Sequence, residues 1–173
     1  MIRTIRKYFF CRSGATTTEF AVAFPFLMWI LFMFVEIGVF SIRTSLLKRG
    51  LSMATRDVRT GDPAIMSIDA FRSRVCDYTY ALSDCNTSLN IEMTPIVDGD
   101  FTQFKCINRE NEDWTPSTTF DPGAREQIML VRACLLVKPV FPGAGIGADL
   151  SRELNGEYAI VATSAFQNEP KKK

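Results

Sequence analysis

An apolar run from Phe20 to Ile42, interrupted by a single formal charge at Glu36, is the feature that most limits what this chain can fold into. As a helix rising ~1.5 Å per residue it is roughly 35 Å long, enough to cross a bilayer core of ~30 Å with some tilt. Pro25 lies early in the run. In lipid, neighbouring groups satisfy the carbonyl a proline frees, so a local kink or unwound turn is expected there. Directly before the run stands a small-residue junction, Ser13-Gly14-Ala15, and before that a leader carrying Arg3, Arg6, Lys7 and Arg12 and no acid. An ordinary secretory signal is cut after its apolar core. Here the candidate cleavage point, between Gly14 and Ala15, comes first. Removing the leader would leave the membrane helix on the mature chain.

Charge and cysteine usage set the compartments. The net charge is +1; with +4 in residues 1–14, the remainder sums to −3. Clustered cations for phosphate contacts are confined to the leader and the Lys171-Lys172-Lys173 tail, which excludes nucleic acid as a partner. The leader argues for a cytoplasmic N-terminus, while Arg43, Lys48 and Arg49 just past the span weaken that argument. Cysteines break the tie. Cys11 lies in the leader, and the other four, Cys76, Cys85, Cys106 and Cys134, all follow the span. An even set on one side of a membrane reads as two disulfides in an oxidising compartment. Four cysteines allow three pairings, of which Cys76–Cys85 with Cys106–Cys134 is favoured. A four-cysteine zinc site lacks the tight C-x-x-C knuckle it would need, so no metal or other cofactor is expected. There is no histidine to serve as a general base, and no nucleophile elbow. An enzyme is not expected.

Periodicity carries the first helix beyond the membrane. Leu47, Leu51, Ala54 and Val58 recur at i, i+4, i+7 and i+11, with Lys48, Arg49, Arg56 and Arg59 largely off that stripe. Gly61 and Asp62-Pro63 stop it. A second helix fits Ser67 to Leu82, with Ile68, Phe71, Val75 and Leu82 on one face. Asp84-Cys85-Asn86 turns the chain. Residues 88–97 then alternate, with Leu89, Ile91 and Met93 one way and Asn90, Glu92 and Thr94 the other, as a half-buried strand does. Residues 101–125, with Trp114, Pro116 and Pro122, read as a long loop tied down by Cys106. Gln127 to Val137 is apolar on both faces except for Arg132, as a central strand would be. Pro139 and Pro142 close it. Glycine-rich residues 143–156 form a connection, with a turn of helix near Leu150, and Tyr158 to Phe166 is a final β-branched strand. Gly143-Ala144-Gly145-Ile146-Gly147 lacks the GxGxxG spacing and βαβ setting of a phosphate loop and reads as that connection. Asn86-Thr87-Ser88 fits a glycosylation triplet, a pattern common by chance.

The fold expected is α+β: a long N-terminal transmembrane helix running into a head with a second helix and a small antiparallel sheet. Residues 1–14 are the leader, 15–61 the helix with its span at about 20–42, and 62–173 the head. Gly14 and Glu19 admit two readings. In one, Gly14 is a flexible helix start, Thr16 to Thr18 are cap candidates, and Glu19 complements the positive helix end. In the other, cleavage after Gly14 creates an amino cation on Ala15 one turn from a carboxylate. Drawn into a helical bundle, each charge needs a partner in low dielectric, and a neighbour's Glu19 can receive an incoming Ala15 amine. Glu36 is an intramembrane acid, open to a helix-packing role or to snorkelling.

Gly14, four residues, then Glu19-Phe20 and a hydrophobic helix resembles the processing motif of type IV prepilins. More narrowly, GATTTEFAVAFPFLMWILFMFVEIG is similar to the N-terminal signature of TadE-like minor pseudopilins of the tight-adherence (Flp-type) pilus system. The likeness rests on Ala15 to Phe20, Pro25, Val35-Glu36-Ile37-Gly38, more loosely Arg56 to Gly61, and the closing Ala165 to Pro170. It covers the first third well and the middle hardly at all. It implies leader removal by a membrane prepilin peptidase and assembly through Glu19, Phe20 and Glu36. Other pilin and pseudopilin subunits, an inner-membrane assembly platform and the lipid bilayer are the partners it implies. It also implies an inner-membrane location with a periplasmic head, and a role in pilus assembly or initiation for surface adhesion. Phe20 stands where the major pilins of this system usually have Tyr, and Ala15 where better-known pilins have a methylated Phe. N-methylation is therefore not carried over. The alternative is a single-pass membrane anchor with a periplasmic binding or sensor head, its N-terminus intact at Met1.

Overall fold

The computed structural model describes residues 15–60, 67–80, 82, 84–96, 106, 119–124, 126–143, 147 and 156–168. Helix α1 runs from Ala15 to Arg59, about 67 Å at ~1.5 Å per residue. It is followed by α2 (Ile68–Tyr78), a single helical turn α3 (Cys85–Ser88), and strands β1 (Leu89–Pro95), β2 (Ile128–Val137) and β3 (Tyr158–Gln167). The strands form one antiparallel sheet in the order β1-β2-β3. This is the α+β arrangement expected. Helix α1 continues through Pro25, so no turn is unwound there. A proline's φ suits a helix, and the loss is confined to one backbone bond and some crowding against the preceding turn. The Gly61 stop, Trp114, Pro116 and the helical turn near Leu150 lie outside the described residues.

One face of the sheet holds the core. Leu89, Ile91 and Met93 of β1 align with Leu135, Ala133 and Val131 of β2, and Ile160 and Ala162 of β3 complete the rows. All are at most 2 % exposed. The stripe Leu47, Leu51, Ala54, Val58 of α1 packs on this face and is buried to within 3 %. Each large apolar side chain so buried contributes roughly 1.5–3 kcal/mol of transfer free energy. The lower half of α1 thus has one apolar stripe facing protein, as its periodicity requires.

Two boundaries differ from the pattern. Helix α2 ends at Tyr78 rather than Leu82, because Thr79 turns inward: its N–H and its hydroxyl both donate to the Cys76 carbonyl. Leu82 is buried from the following turn, and Ile68 is only half-buried. Ser67 caps the start of α2, accepting from the Ala70 N–H. Residues 119–121 are not simply loop: Met93 donates to the Thr119 carbonyl and Asp121 to that of Met93, a parallel bridge along the β1 edge. It brings the Phe120 ring 5.8 Å from that of Phe71.

The second face of β1 is also not solvated as alternation implies. Glu92 and its cross-strand partner Arg132 are 7 % and 9 % exposed, with Nε 3.8 Å from Oε2. On β2 the same face carries Cys134, bonded to Cys106, and the other disulfide joins Cys76 to Cys85. Cys106 is therefore held on the face that Glu92 and Arg132 occupy.

Where α1 crosses α2, Gly50 is buried. A Cβ there would stand 2.9 Å from the Val75 carbonyl oxygen and collide with Thr79 Cγ2. Gly50→Ala is expected to lower stability by about 1–2 kcal/mol, the crowding of two backbones outweighing the ~1 kcal/mol gain in helix propensity. Thermal unfolding of the full chain checks it; a raised melting temperature would show that the crossing yields freely.

Candidate functional site

Two surfaces of α1 bear on function. The first is its N-terminal half, where Phe20, Val22, Phe24, Phe26, Leu27, Trp29, Leu31 and Phe34 are all exposed. These side chains point in every direction around the helix, and a helix apolar all round belongs in an apolar medium. Within α1, Thr16–Arg59 is long and apolar enough to be a candidate membrane span. Ala15 begins the helix, and Glu19 and Phe20 lie exposed at the head of the apolar stretch. Gly14 is outside the described residues. The Phe20 and Phe24 rings sit 5.4 Å apart, and those of Phe26 and Trp29 6.4 Å apart, along the helix surface.

The second surface is a clasp between α1 and the end of β2. Glu36 is 1 % exposed. The Val140 N–H donates to both of its carboxylate oxygens (3.2 and 3.0 Å), and the Phe141 N–H donates to Oε2 at 3.0 Å. One turn toward the N-terminus, the Phe32 ring packs tilted against that of Phe141, with centroids 4.8 Å apart. In the other direction Phe40 meets Tyr158 at 5.8 Å, and Arg43 Nη1 donates to the Lys138 carbonyl (2.8 Å) and to the Tyr158 hydroxyl (3.1 Å). The face Phe32, Glu36, Phe40, Arg43 therefore continues the Leu47–Val58 stripe upward, with polar anchors between aromatic ones.

Neither reading of Glu36 from the sequence, helix packing or snorkelling, named these partners: it takes backbone donors 104 and 105 residues along its own chain. On this face the chain beyond β2 reaches back along α1 as far as Phe32, inside the stretch read as the span. A signal for the clasp was available. In Lys138-Pro139-Val140-Phe141-Pro142 the two prolines carry no N–H, so Val140 and Phe141 are the two adjacent donors left between them. Pro139 and Pro142 read only as strand terminators. Gly147, from the glycine-rich run, lies against the Phe141 carbonyl so closely that a Cβ would collide with it. That run's described end supports the clasp.

Elsewhere the chemistry is sparse. A cleft of about 200 Å³ is lined by Arg43, Leu82, Asp84, Ser88, Lys138 and Glu157 among others. It is smaller than the ~300–1,000 Å³ usual for small-molecule sites. Among the described residues no group of His, Cys, Asp or Glu is arranged to hold a metal ion. The Tyr78 hydroxyl donates to Asp57 Oδ2 at 2.9 Å, and that bond holds the phenol above its ordinary 10.0. It ties α2 to α1 and reaches no cleft. Comparison of the chain with family models, curated proteins and solved structures finds no match.

Proposed function

We propose that this chain is a TadE-like minor pseudopilin, matured by a prepilin peptidase between Gly14 and Ala15 and acting in assembly or initiation of a Flp-type pilus. One observation carries the reading: the Gly14-to-Glu19-Phe20 motif leads into a long helix whose apolar N-terminal turns are exposed and whose far half joins a small α+β head. A leader cut on the near side of such a helix makes the helix a handle that persists after maturation. Two disulfides in the head support placing it in the periplasm. The protein catalyses nothing in this scheme; it is a protease substrate at Gly14–Ala15 and an assembly subunit through Glu19, Phe20 and the apolar helix. Glu36, engaged within its own chain, supports the subunit's shape rather than a contact between subunits.

N-terminal sequencing of protein made with and without the cognate peptidase tests the scheme. Material beginning at Ala15 with the peptidase and at Met1 without it is the expected result. Native protein retaining Met1 while filaments form normally would overturn it. Met1 retained with no link to any filament would favour a membrane-anchored binding or sensor head.

A further inference from the structure

The clasp fixes how deep the head sits against α1. Glu19 is the last charge before the apolar run. Counting from Phe20, ~20 residues at ~1.5 Å each fill a ~30 Å hydrocarbon core and carry its outer edge to about Val39. Arg43, four residues farther, lies at headgroup level and holds the Lys138 carbonyl there. From Lys138 the chain descends along the helix. The Val140 and Phe141 amides reach Glu36, and the Phe141 ring reaches Phe32. On the same count Glu36 and Phe32 lie ~5 Å and ~10 Å inside the edge. We infer that the Pro139–Pro142 loop is a membrane wedge, inserted beside the helix into the outer leaflet and seating the head on the bilayer. This rests on the single-span reading of α1.

The loop's chemistry suits hydrocarbon. Of its four residues two are prolines, and both remaining N–H groups are taken by Glu36, so the descending backbone brings no unpaired donor into lipid. Val140 is 43 % exposed and Pro142 is exposed. On the helix Val35 and Ile37, about 100° to either side of Glu36, are exposed too, so apolar surface of the span flanks the loop. Directly above stands the Lys138 side chain, 76 % exposed and 4.0 Å from Glu157. An apolar tip with a cation at its rim is how interfacial segments sit at ~5–10 Å depth.

The test uses the full chain in vesicles of phosphatidylethanolamine and phosphatidylglycerol. Val140→Trp, combined with Trp29→Phe and Trp114→Phe, puts one indole on the wedge. Trp114→Phe alone leaves Trp29 as the reporter of the span. Pro142→Trp in the first background is a second wedge reporter should position 140 disturb the fold. Expected is a blue-shifted indole at position 140, quenched most by lipids brominated near the headgroup, with Trp29 quenched by lipids brominated farther down the chain. If the indole at 140 answers only to aqueous iodide while Trp29 is quenched by bromolipid, the wedge is wrong and the span stands. If neither is quenched by bromolipid, the span reading falls and takes the wedge with it. A blue shift that depends on protein concentration and ignores bromolipid would mean that a second copy covers the loop, which also overturns the inference.

Discussion

Gly14→Leu is expected to leave the leader on essentially every molecule, so that sequencing returns Met1 and the protein stays in the membrane as precursor. The motif implies a protease cleft shaped around a residue with no side chain, and an isobutyl group there blocks approach of the scissile carbonyl. The retained leader also keeps four cations in front of the helix. The amine of Ala15, which the scheme needs, is never formed. Glu19→Ala is the contrasting variant. It lies outside the scissile bond, on the exposed surface of α1, so cleavage is expected to proceed. What it removes is the carboxylate that, in the proposed scheme, receives a neighbour's Ala15 amine inside a helical bundle. A charge left unpaired in low dielectric costs about 3–5 kcal/mol, or two to four orders of magnitude in incorporation at ~1.4 kcal/mol per tenfold. Filament counts against membrane pools of mature protein read this out. An uncleaved Gly14→Leu protein that still enters pili would sink the scheme, and normal assembly by Glu19→Ala would remove the pairing from it.

What periodicity can report, it reported. The stripe from Leu47 to Val58 follows from 3.6-residue spacing, and each of its members is buried. Strand β2 reads as central because both its faces are apolar, and it does lie between two partners. The pairing Cys76–Cys85 and Cys106–Cys134, favoured from sequence, is the one the structure contains. Misses occur where a residue's environment comes from distant chain. Glu92 alternates as a solvent-facing residue and is 7 % exposed, paired across the strands with Arg132 on the face that carries the Cys106–Cys134 disulfide. Gly50 carries no local turn signal; it matters only because α2 returns to cross α1 there. Thr79 ends a helix that apolar spacing alone would extend to Leu82. Glu36 is the sharpest instance. Its neighbours in sequence are those of a lipid-facing helix, and its partners are set by two prolines more than a hundred residues away.

The clasp at Glu36 makes the second large prediction. Glu36→Ala removes the acceptor for two adjacent amides without supplying another, and Phe32 and Phe141 crowd out water on one side. Each buried donor left unsatisfied costs about 1–3 kcal/mol, so a loss of about 4 kcal/mol in the docking of the 138–142 segment is expected. The loop then swings away from α1 to reach water. Glu36→Gln retains one acceptor oxygen and presents an amide group where the second oxygen stood, so its loss falls between wild type and alanine. Glu36→Leu raises the hydropathy of the span and matches the side-chain volume, yet it supplies no acceptor and is expected to behave like alanine. That ordering separates hydrogen bonding from packing: packing alone would rank leucine with wild type. Amide hydrogen exchange at Val140 and Phe141 is the direct reading, protected in wild type and fast in the alanine and leucine variants. The sheet amides of β2 from Met129 to Leu135 should keep their protection, because their bonds and the stripe beneath them do not depend on the clasp. Unchanged exchange at positions 140 and 141 in Glu36→Ala would show that the loop is held by its aromatic contacts, with the carboxylate a bystander.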